Sequence, residues 1–145
     1  MDQQEFTVLY ETYKNGIFRY LFTLTGNQAL AEDLLQDTFI KVLTGGLRCA
    51  PEKQQAWLYR VARNLCYDYL RRSKRELPAE PQPATEPQYA YIDMIASLSP
   101  KDRELVTLKI VGGLSHREIG RVLGISPRAA QKRYERAIAI LRKEA

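Results

Sequence analysis

A proline-rich segment divides this chain into two parts. Residues 77–88, LPAEPQPATEPQ, hold four of the seven prolines and almost no large apolar side chain. Such a segment cannot contribute to a packed core, and its backbone favours an extended form of about 3.1 Å per residue. We therefore predict a flexible linker over residues 77–89 that joins two small domains, 1–76 and 90–145.

Both parts have the sequence pattern of helices. Apolar residues recur at intervals of three and four, and no stretch alternates with the period of two that a half-buried strand requires. The predicted fold class is all-α, with three helices in the first part. The third of these is predicted over residues 54–74, with its inward residues at Leu58, Val61, Ala62, Leu65 and Tyr69.

The second part contains two helix starts around one tight corner, in GLSHREIGRVLGISPRAAQKRYERA, residues 113–137. Ser115 with Glu118 forms a capping box, and Gly124 can adopt the left-handed conformation that ends a helix. Ser126 then caps the next helix, with Pro127 at its first position. Two short helices at a sharp angle form a helix-turn-helix.

A further helix is predicted upstream of this corner, between Ser99 and the pair Gly112 and Gly113. We expect it to supply the core of the second domain with Leu105, Leu108, Ile110 and Val111.

The last helix has an inward line through Ala130 and Tyr134, which leaves Arg128, Gln131 and Lys132 facing outward. In a major groove, Arg and Lys suit guanine and Gln suits adenine. Residues 90–145 carry 11 basic and 6 acidic side chains, which favours a polyanionic partner. The alternative is a helical hairpin with a solvated basic face. Phosphate contacts are predicted for Arg133 and Arg136.

The third helix carries an outward stripe of cations and one aromatic ring. Cations follow phosphates and rings stack on bases, so this pattern suits single-stranded nucleic acid, although a charged stripe can also be a solvated face. The stripe consists of Arg60, Arg63, Asn64, Tyr67, Arg71 and Lys74.

The second helix has an acidic outward ridge. Carboxylates and aliphatic side chains together could dock on a basic partner helix, the charges giving specificity and the leucines affinity. The alternative is the polar back of an amphipathic helix. The predicted ridge consists of Asp33, Gln36, Asp37 and Ile40, adjoined by Leu30 and Leu34.

Catalysis and metal binding have little support. Cys49 and Cys66 lie 17 residues apart, and His116 is the single histidine. There is no nucleophile with a base, and no glycine loop for a phosphate. We therefore predict no cofactor, no metal and no enzymatic activity. Because no run of about 18 apolar residues occurs, we expect no membrane insertion and a cytoplasmic location.

In their order along the chain, these segments resemble the extracytoplasmic-function group of the sigma-70 family. AEDLLQDTFIKV resembles the polymerase-binding helix of that family, and AWLYRVARNLCYDYLRRSKR resembles its promoter-melting helix. LSPKDRELVTLKIVGGLSHREIGRVLGISPRAAQKRYERA resembles its helix-turn-helix domain. The resemblance implies a monomeric transcription initiation factor that binds core RNA polymerase, with region 2 at residues 1–76 and region 4 at residues 90–145.

The resemblance also implies roles for particular residues. The ridge at Asp33, Gln36 and Asp37 would contact the clamp helices of the large polymerase subunit, and region 4 would contact the upstream flap. The stripe from Arg60 to Arg71, with loop 44–51, would hold the melted minus-10 strand. A separate anti-sigma factor would control the protein. The minus-35 duplex would be read by Ser126, Arg128, Gln131, Lys132, Arg133 and Arg136.

Two other functions stay open. A freestanding helix-turn-helix regulator would dimerise on a palindrome and bind DNA without polymerase, although the linker and the stripe argue against it. A purely protein-binding adaptor would leave the basic last helix without a role. Members of the family often carry Thr and Val where this chain has Ala129 and Ala130, so its promoter sequence cannot be copied from theirs.

Overall fold

The computed structural model describes residues 2–45, 50–73 and 86–144. These ranges form helices and connecting turns, without a strand, so the predicted all-α class is confirmed. A 3₁₀ turn, Pro51–Lys53, precedes the third helix. The helices are α1 (Gln3–Thr25), α2 (Gln28–Gly45), α3 (Gln54–Arg72), α4 (Glu86–Ile95), α5 (Pro100–Ile110), α6 (His116–Leu123) and α7 (Pro127–Glu144).

Parts of the predicted connections lie outside the described residues. This holds for positions 46–49 of loop 44–51, with Cys49, and for positions 74–85, with Lys74 and most of the predicted linker. Helix α4 was not predicted, and it begins at Glu86, within the proline-rich segment. The domain limits proposed from the sequence stay a prediction.

The helix ends predicted in the second part are confirmed. Ser115 accepts a hydrogen bond from the Glu118 amide at 3.1 Å, and the Glu118 side chain accepts one from the Ser115 amide at 3.0 Å. Gly124 is left-handed, with φ of 73°. Ser126 Oγ accepts from the Ala129 amide at 3.1 Å. Each contact satisfies an amide that a helix start would otherwise leave unpaired.

The first half of the chain, helices α1 to α3, and the second half, helices α4 to α7, share one hydrophobic core. Helices α1, α2 and α3 pack together, α5 packs against α1 and α7, and α6 packs against α3. Ile17, Tyr20 and Leu58 of the first half lie in the same buried cluster as Leu105 and Ile119 of the second. A smaller cluster joins α4, α5 and α7 through Ile95, Val106 and Ala137.

Two predicted core residues are exposed. Tyr69 is 37% exposed, because the inward line of α3 advances in steps of four through Leu58, Ala62 and Cys66 and leaves Tyr69 to one side. Ile110 is 48% exposed. It occupies the last turn of α5, whose buried residues extend only from position 104 to 108.

No helix in the described ranges combines the length and the apolarity that a bilayer crossing needs.

Replacing Gly124 by alanine should destabilise the protein by about 1–2 kcal/mol, because a Cβ is unfavourable in the left-handed region. The cost is conformational, since no atom lies within 4 Å of the added carbon. Gly45→Ala is the matched control. A Cβ at Gly45 would also have no atom within 4 Å, and the φ of Gly45 is not positive, so we expect no loss of stability. Urea unfolding measures both, and equal midpoints would contradict the prediction.

Candidate functional site

The corner between α6 and α7 is held by a close backbone contact. A Cβ on Gly120 would lie 2.5 Å from the carbonyl oxygen of Ile125, so only glycine allows α6 to approach the turn this closely. Leu114 and Ile119 are fully buried behind the corner. The packing therefore fixes the direction in which α7 leaves the domain.

The N-terminal half of α7 presents polar side chains to solvent. Arg128, Gln131 and Lys132 are exposed, as are the predicted phosphate contact Arg136 and the cap Ser126. The Gln131 amide donates to Glu135 Oε1 at 3.1 Å along the same face. This arrangement can offer donors to base edges in a groove.

Arg133 does not lie on that free face. Its guanidinium approaches Asp102 of α5 at 3.8 Å, and both side chains are about three quarters buried. The ion pair connects α7 to α5. Periodicity alone did not indicate this partner, because Asp102 lies on another helix.

The stripe on α3 is only partly free. Arg60, Asn64 and Arg71 are exposed, and Arg71 pairs with Asp68 at 3.2 Å on its own helix. Arg63 is half-buried, with its guanidinium 4.5 Å from the centroid of the Tyr67 ring, a cation–π distance. Five of the six predicted stripe residues lie in the described part of α3, and two of these five, Arg63 and Tyr67, make a further contact with another helix.

That contact is the carboxylate of Glu104 on α5, which is 2% exposed. Its Oε1 accepts from Arg63 Nε at 2.6 Å and from the Tyr20 hydroxyl at 2.7 Å. Its Oε2 accepts from the Tyr67 hydroxyl at 2.8 Å. We call Tyr20, Arg63, Tyr67 and Glu104 the Glu104 cluster. It joins α1 and α3 to α5, and no pattern in the sequence indicated it.

Burial and charge shift the pKa values in the Glu104 cluster. Burial raises the pKa of Tyr20 well above its ordinary value, and the nearby negative charge of Glu104 raises it further. The pKa of Tyr67 is raised by the same two causes. Burial lowers the pKa of Arg63, but the charge of Glu104 and its hydrogen bond outweigh that, so the net shift is upward.

The outward face of α2 carries the predicted ridge. Asp33, Gln36 and Asp37 are exposed, and Ile40 is 52% exposed. The predicted contribution of Leu30 and Leu34 is wrong, because both are buried in the core of α1, α2 and α3.

Leu43 and Val8 supply exposed apolar surface instead, each at 61%. Leu43 also lines a groove of about 250 Å³, together with Phe6, Tyr10, Gln36, Phe39 and Ile40.

Within the part of the chain that the structure describes, no group of three His, Cys, Asp or Glu side chains could hold a metal ion. His116 packs its ring against Tyr134 at a centroid distance of 5.8 Å. The described surfaces of α2, α3 and α7 present cations, amides, carboxylates and apolar side chains.

Two family models match this chain and together cover most of it. Sigma-70 region 2 matches residues 9–76, and Sigma-70 region 4 matches residues 88–141.

Several curated proteins are similar to it. The RNA polymerase sigma factor CarQ of Myxococcus xanthus is 35% identical over 97% of this chain and 89% of its own length. The ECF RNA polymerase sigma factors SigE of Mycolicibacterium smegmatis and BldN of Streptomyces coelicolor are 32% and 30% identical over 92% of this chain. The chain spans 59% and 57% of the lengths of these last two.

Two solved structures have the same fold. CnrH in complex with the cytosolic domain of CnrY has a TM-score of 0.77 at 24% identity, covering 98% of this chain and 88% of that one. The sigma factor RpoE in complex with the anti-sigma factor NepR from Bartonella quintana has a TM-score of 0.75 at 22% identity, covering 97% and 96%.

The raised pKa values predict a loss of stability at high pH. Burial raises the pKa of Cys66 to about 12, and it also raises the pKa of Tyr20 and Tyr59. In the unfolded chain these groups have their ordinary pKa values and lose their protons at a lower pH than in the folded protein. The free energy of unfolding should therefore fall as pH rises above about 9, by up to about 1.4 kcal/mol per pH unit for each group. Urea unfolding between pH 7.5 and 11 measures this, and a constant midpoint would contradict it. In Cys66→Ala the fall should begin nearer pH 10.

Proposed function

This chain belongs to the extracytoplasmic-function group of the sigma-70 family, and on that premise we propose that it is a dissociable transcription initiation factor. It binds core RNA polymerase and directs it to promoters through a minus-10 and a minus-35 element. The observation that carries the proposal is the exposed row of Arg128, Gln131 and Lys132 on a helix whose direction the Gly120 corner fixes.

The polymerase contact is assigned to the outward face of α2. Asp33, Gln36 and Asp37 supply charge and hydrogen bonding there, while Ile40 and Leu43 supply exposed apolar area. Charged groups around an apolar centre give an interface both orientation and affinity. The clamp helices of the large polymerase subunit are the proposed partner, and the upstream flap is proposed to contact region 4.

The minus-10 strand is assigned to the outward face of α3. Arg60, Asn64 and Arg71 are exposed along it, and Tyr67 offers an aromatic ring. Stacking on a ring combined with phosphate contacts suits an unpaired strand.

The minus-35 duplex is assigned to α7. Arg128, Gln131 and Lys132 are proposed to reach base edges, with Arg136 and the cap Ser126 beside them at the backbone. Arg133 was predicted as a contact, but its ion pair with Asp102 favours a positioning role.

Joining two weak DNA contacts through the polymerase raises their effective concentration at one promoter. This supports two separate DNA surfaces in one chain, which a freestanding regulator binding a palindrome would not need.

Control by a separate anti-sigma factor is part of the proposal. One structural neighbour, RpoE, was solved in complex with the anti-sigma factor NepR. The groove beside Ile40 and Leu43 offers an apolar surface on which such a partner could cover the polymerase-binding face.

The direct test is a titration of the N-terminally labelled protein with bacterial core RNA polymerase at physiological salt, without DNA, followed by fluorescence anisotropy. We expect saturable binding in the nanomolar range. Absence of binding to a core preparation that accepts another sigma factor would favour the freestanding regulator.

Asp37→Ala should weaken core binding by about 5- to 30-fold, the effect of losing about 1–2 kcal/mol at an interface. The fold should persist, because Asp37 is exposed. Glu144→Ala, an exposed acidic residue at the end of α7, is the charge-matched control. Equal affinities with normal circular dichroism would remove α2 as the docking face.

Replacing Arg128 and Lys132 by alanine should abolish sequence selection while leaving core binding intact, because each base contact contributes about 1–3 kcal/mol of discrimination. Selection of a random duplex library by the holoenzyme measures this. The control replaces Arg142 and Lys143, which carry the same charge on the last turn of α7. Equal enrichment of one motif by both variants would refute the assignment.

A further inference from the structure

We propose that Glu135 of α7 is a specificity-determining residue, whose carboxylate accepts a hydrogen bond from the exocyclic amine of one cytosine in the minus-35 element. The inference rests on the proposed function, because Glu135 reads a base only if α7 enters the major groove of a duplex. The ligand is then duplex DNA with cytosine at one defined position.

Glu135 completes a regular row on the outward face of α7. Arg128, Gln131, Lys132 and Glu135 stand at positions i, i+3, i+4 and i+7 of the helix, and all four are exposed. A helix that lies in a major groove reads bases through residues at this spacing, as the recognition helix of a homeodomain does. Seven residues of α-helix rise about 10.5 Å, so Glu135 faces a base about two or three pairs away from the one that Arg128 faces.

A hydrogen bond between Gln131 and Glu135 orients the carboxylate. Gln131 Nε2 donates to Glu135 Oε1 at 3.1 Å, across one helical turn of the same face. Because a carboxylate can only accept, the NH₂ end of the Gln131 amide must be the end that faces it. The second oxygen, Oε2, makes no hydrogen bond within the described part of the chain. One oxygen is therefore held, and the other is left to accept from a base.

The chemistry of the major groove decides which base suits this oxygen. Guanine and thymine present acceptors there, whereas the exocyclic amines of cytosine and adenine donate. Adenine also presents the acceptor N7 beside its amine, and that nitrogen repels a carboxylate. Cytosine has no acceptor beside its amine in this groove, so a carboxylate at this position selects cytosine.

Neighbouring cations offset the repulsion between Glu135 and the DNA phosphates. Lys132 precedes Glu135 by three residues and Arg136 follows it directly, and both are exposed. Among the described residues, neither forms an ion pair with Glu135. Both cations therefore remain available to phosphates, while the carboxylate remains available to an amine.

The surface beside Glu135 leaves room for a base edge. A depression of about 520 Å³ is lined by Lys132, Glu135, Arg136 and Ala139. Ala139 lies one turn after Glu135 and is exposed. Because its side chain is a single methyl group, it leaves the carboxylate open on that side.

The test is selection of a duplex library with a randomised upstream element by the holoenzyme formed from the full chain and core polymerase. We expect the wild type to enrich cytosine at one position. Glu135→Gln keeps the length of the side chain but supplies an amide, which suits adenine. The preference for cytosine over adenine should therefore fall at least about fivefold at that position alone. The fold should persist, because Glu135 is exposed.

Glu144→Gln, on the last turn of α7, changes the net charge equally and is the matched control. If Glu135 were only a solvated residue, loss of its charge would raise the affinity for every duplex alike and leave the selected motif unchanged. The same motif from Glu135→Gln and Glu144→Gln would therefore overturn the inference.

A second measurement removes the amine from the DNA. The selected cytosine is replaced by 2-pyrimidinone, which lacks the exocyclic amino group, and the affinity of the holoenzyme for the duplex is measured. The wild type should lose at least about fivefold more affinity than Glu135→Ala, because that variant has already lost the acceptor. Equal losses in the two proteins would contradict a direct contact.

Titration with core polymerase in parallel separates failure of this inference from failure of the proposed function. If the wild type binds core and enriches a motif without the cytosine, or one that Glu135→Gln leaves unchanged, only the role of Glu135 is rejected. If the wild type does not bind core, or enriches no motif, the proposed function is rejected and the role of Glu135 with it.

Discussion

The burial of α5 between α1 and α7 is the constraint on which the rest of the structure depends. Its side chains enter both hydrophobic clusters, with Leu105 and Leu108 in the larger one and Val106 in the smaller. A helix buried on several sides must also bury whatever polar groups it carries. Glu104 and Thr107 are therefore tolerated only because each finds a partner, Thr107 with the Tyr91 hydroxyl at 2.8 Å.

The Glu104 cluster links this packing to the candidate DNA surface. The residues suited to nucleic acid on α3 are cationic and aromatic, and the same properties make them good partners for a buried carboxylate. The face of α3 to which strand binding is assigned therefore also contributes Arg63 and Tyr67 to a contact within the chain. By contrast, the outward row on α7 has no comparable partner among the described residues, and its N-terminal half is exposed to solvent.

Local sequence explains the parts of the candidate site that depend on one helix. Capping residues indicated the starts of α5, α6 and α7, and Gly124 marked the corner, because these features act within a single turn of backbone. Helical periodicity likewise placed Arg128 and Lys132 outward. It was less reliable where packing decides between neighbouring positions: Leu30 and Leu34 are buried, and the exposed apolar surface of α2 comes from Ile40 and Leu43.

The sequence by itself therefore determined the helical class, the helix-turn-helix corner and the residue types of each surface, since each follows from propensity and period over a few turns. Only the tertiary structure decided which of those residues are exposed and which are engaged in contacts within the chain. Glu104 lies 84, 41 and 37 residues from its partners Tyr20, Arg63 and Tyr67, and no local pattern encodes so distant a pairing. The packing of α5 against α1 brings them together, because a charge buried there must be neutralised by whatever donors the opposite surface presents.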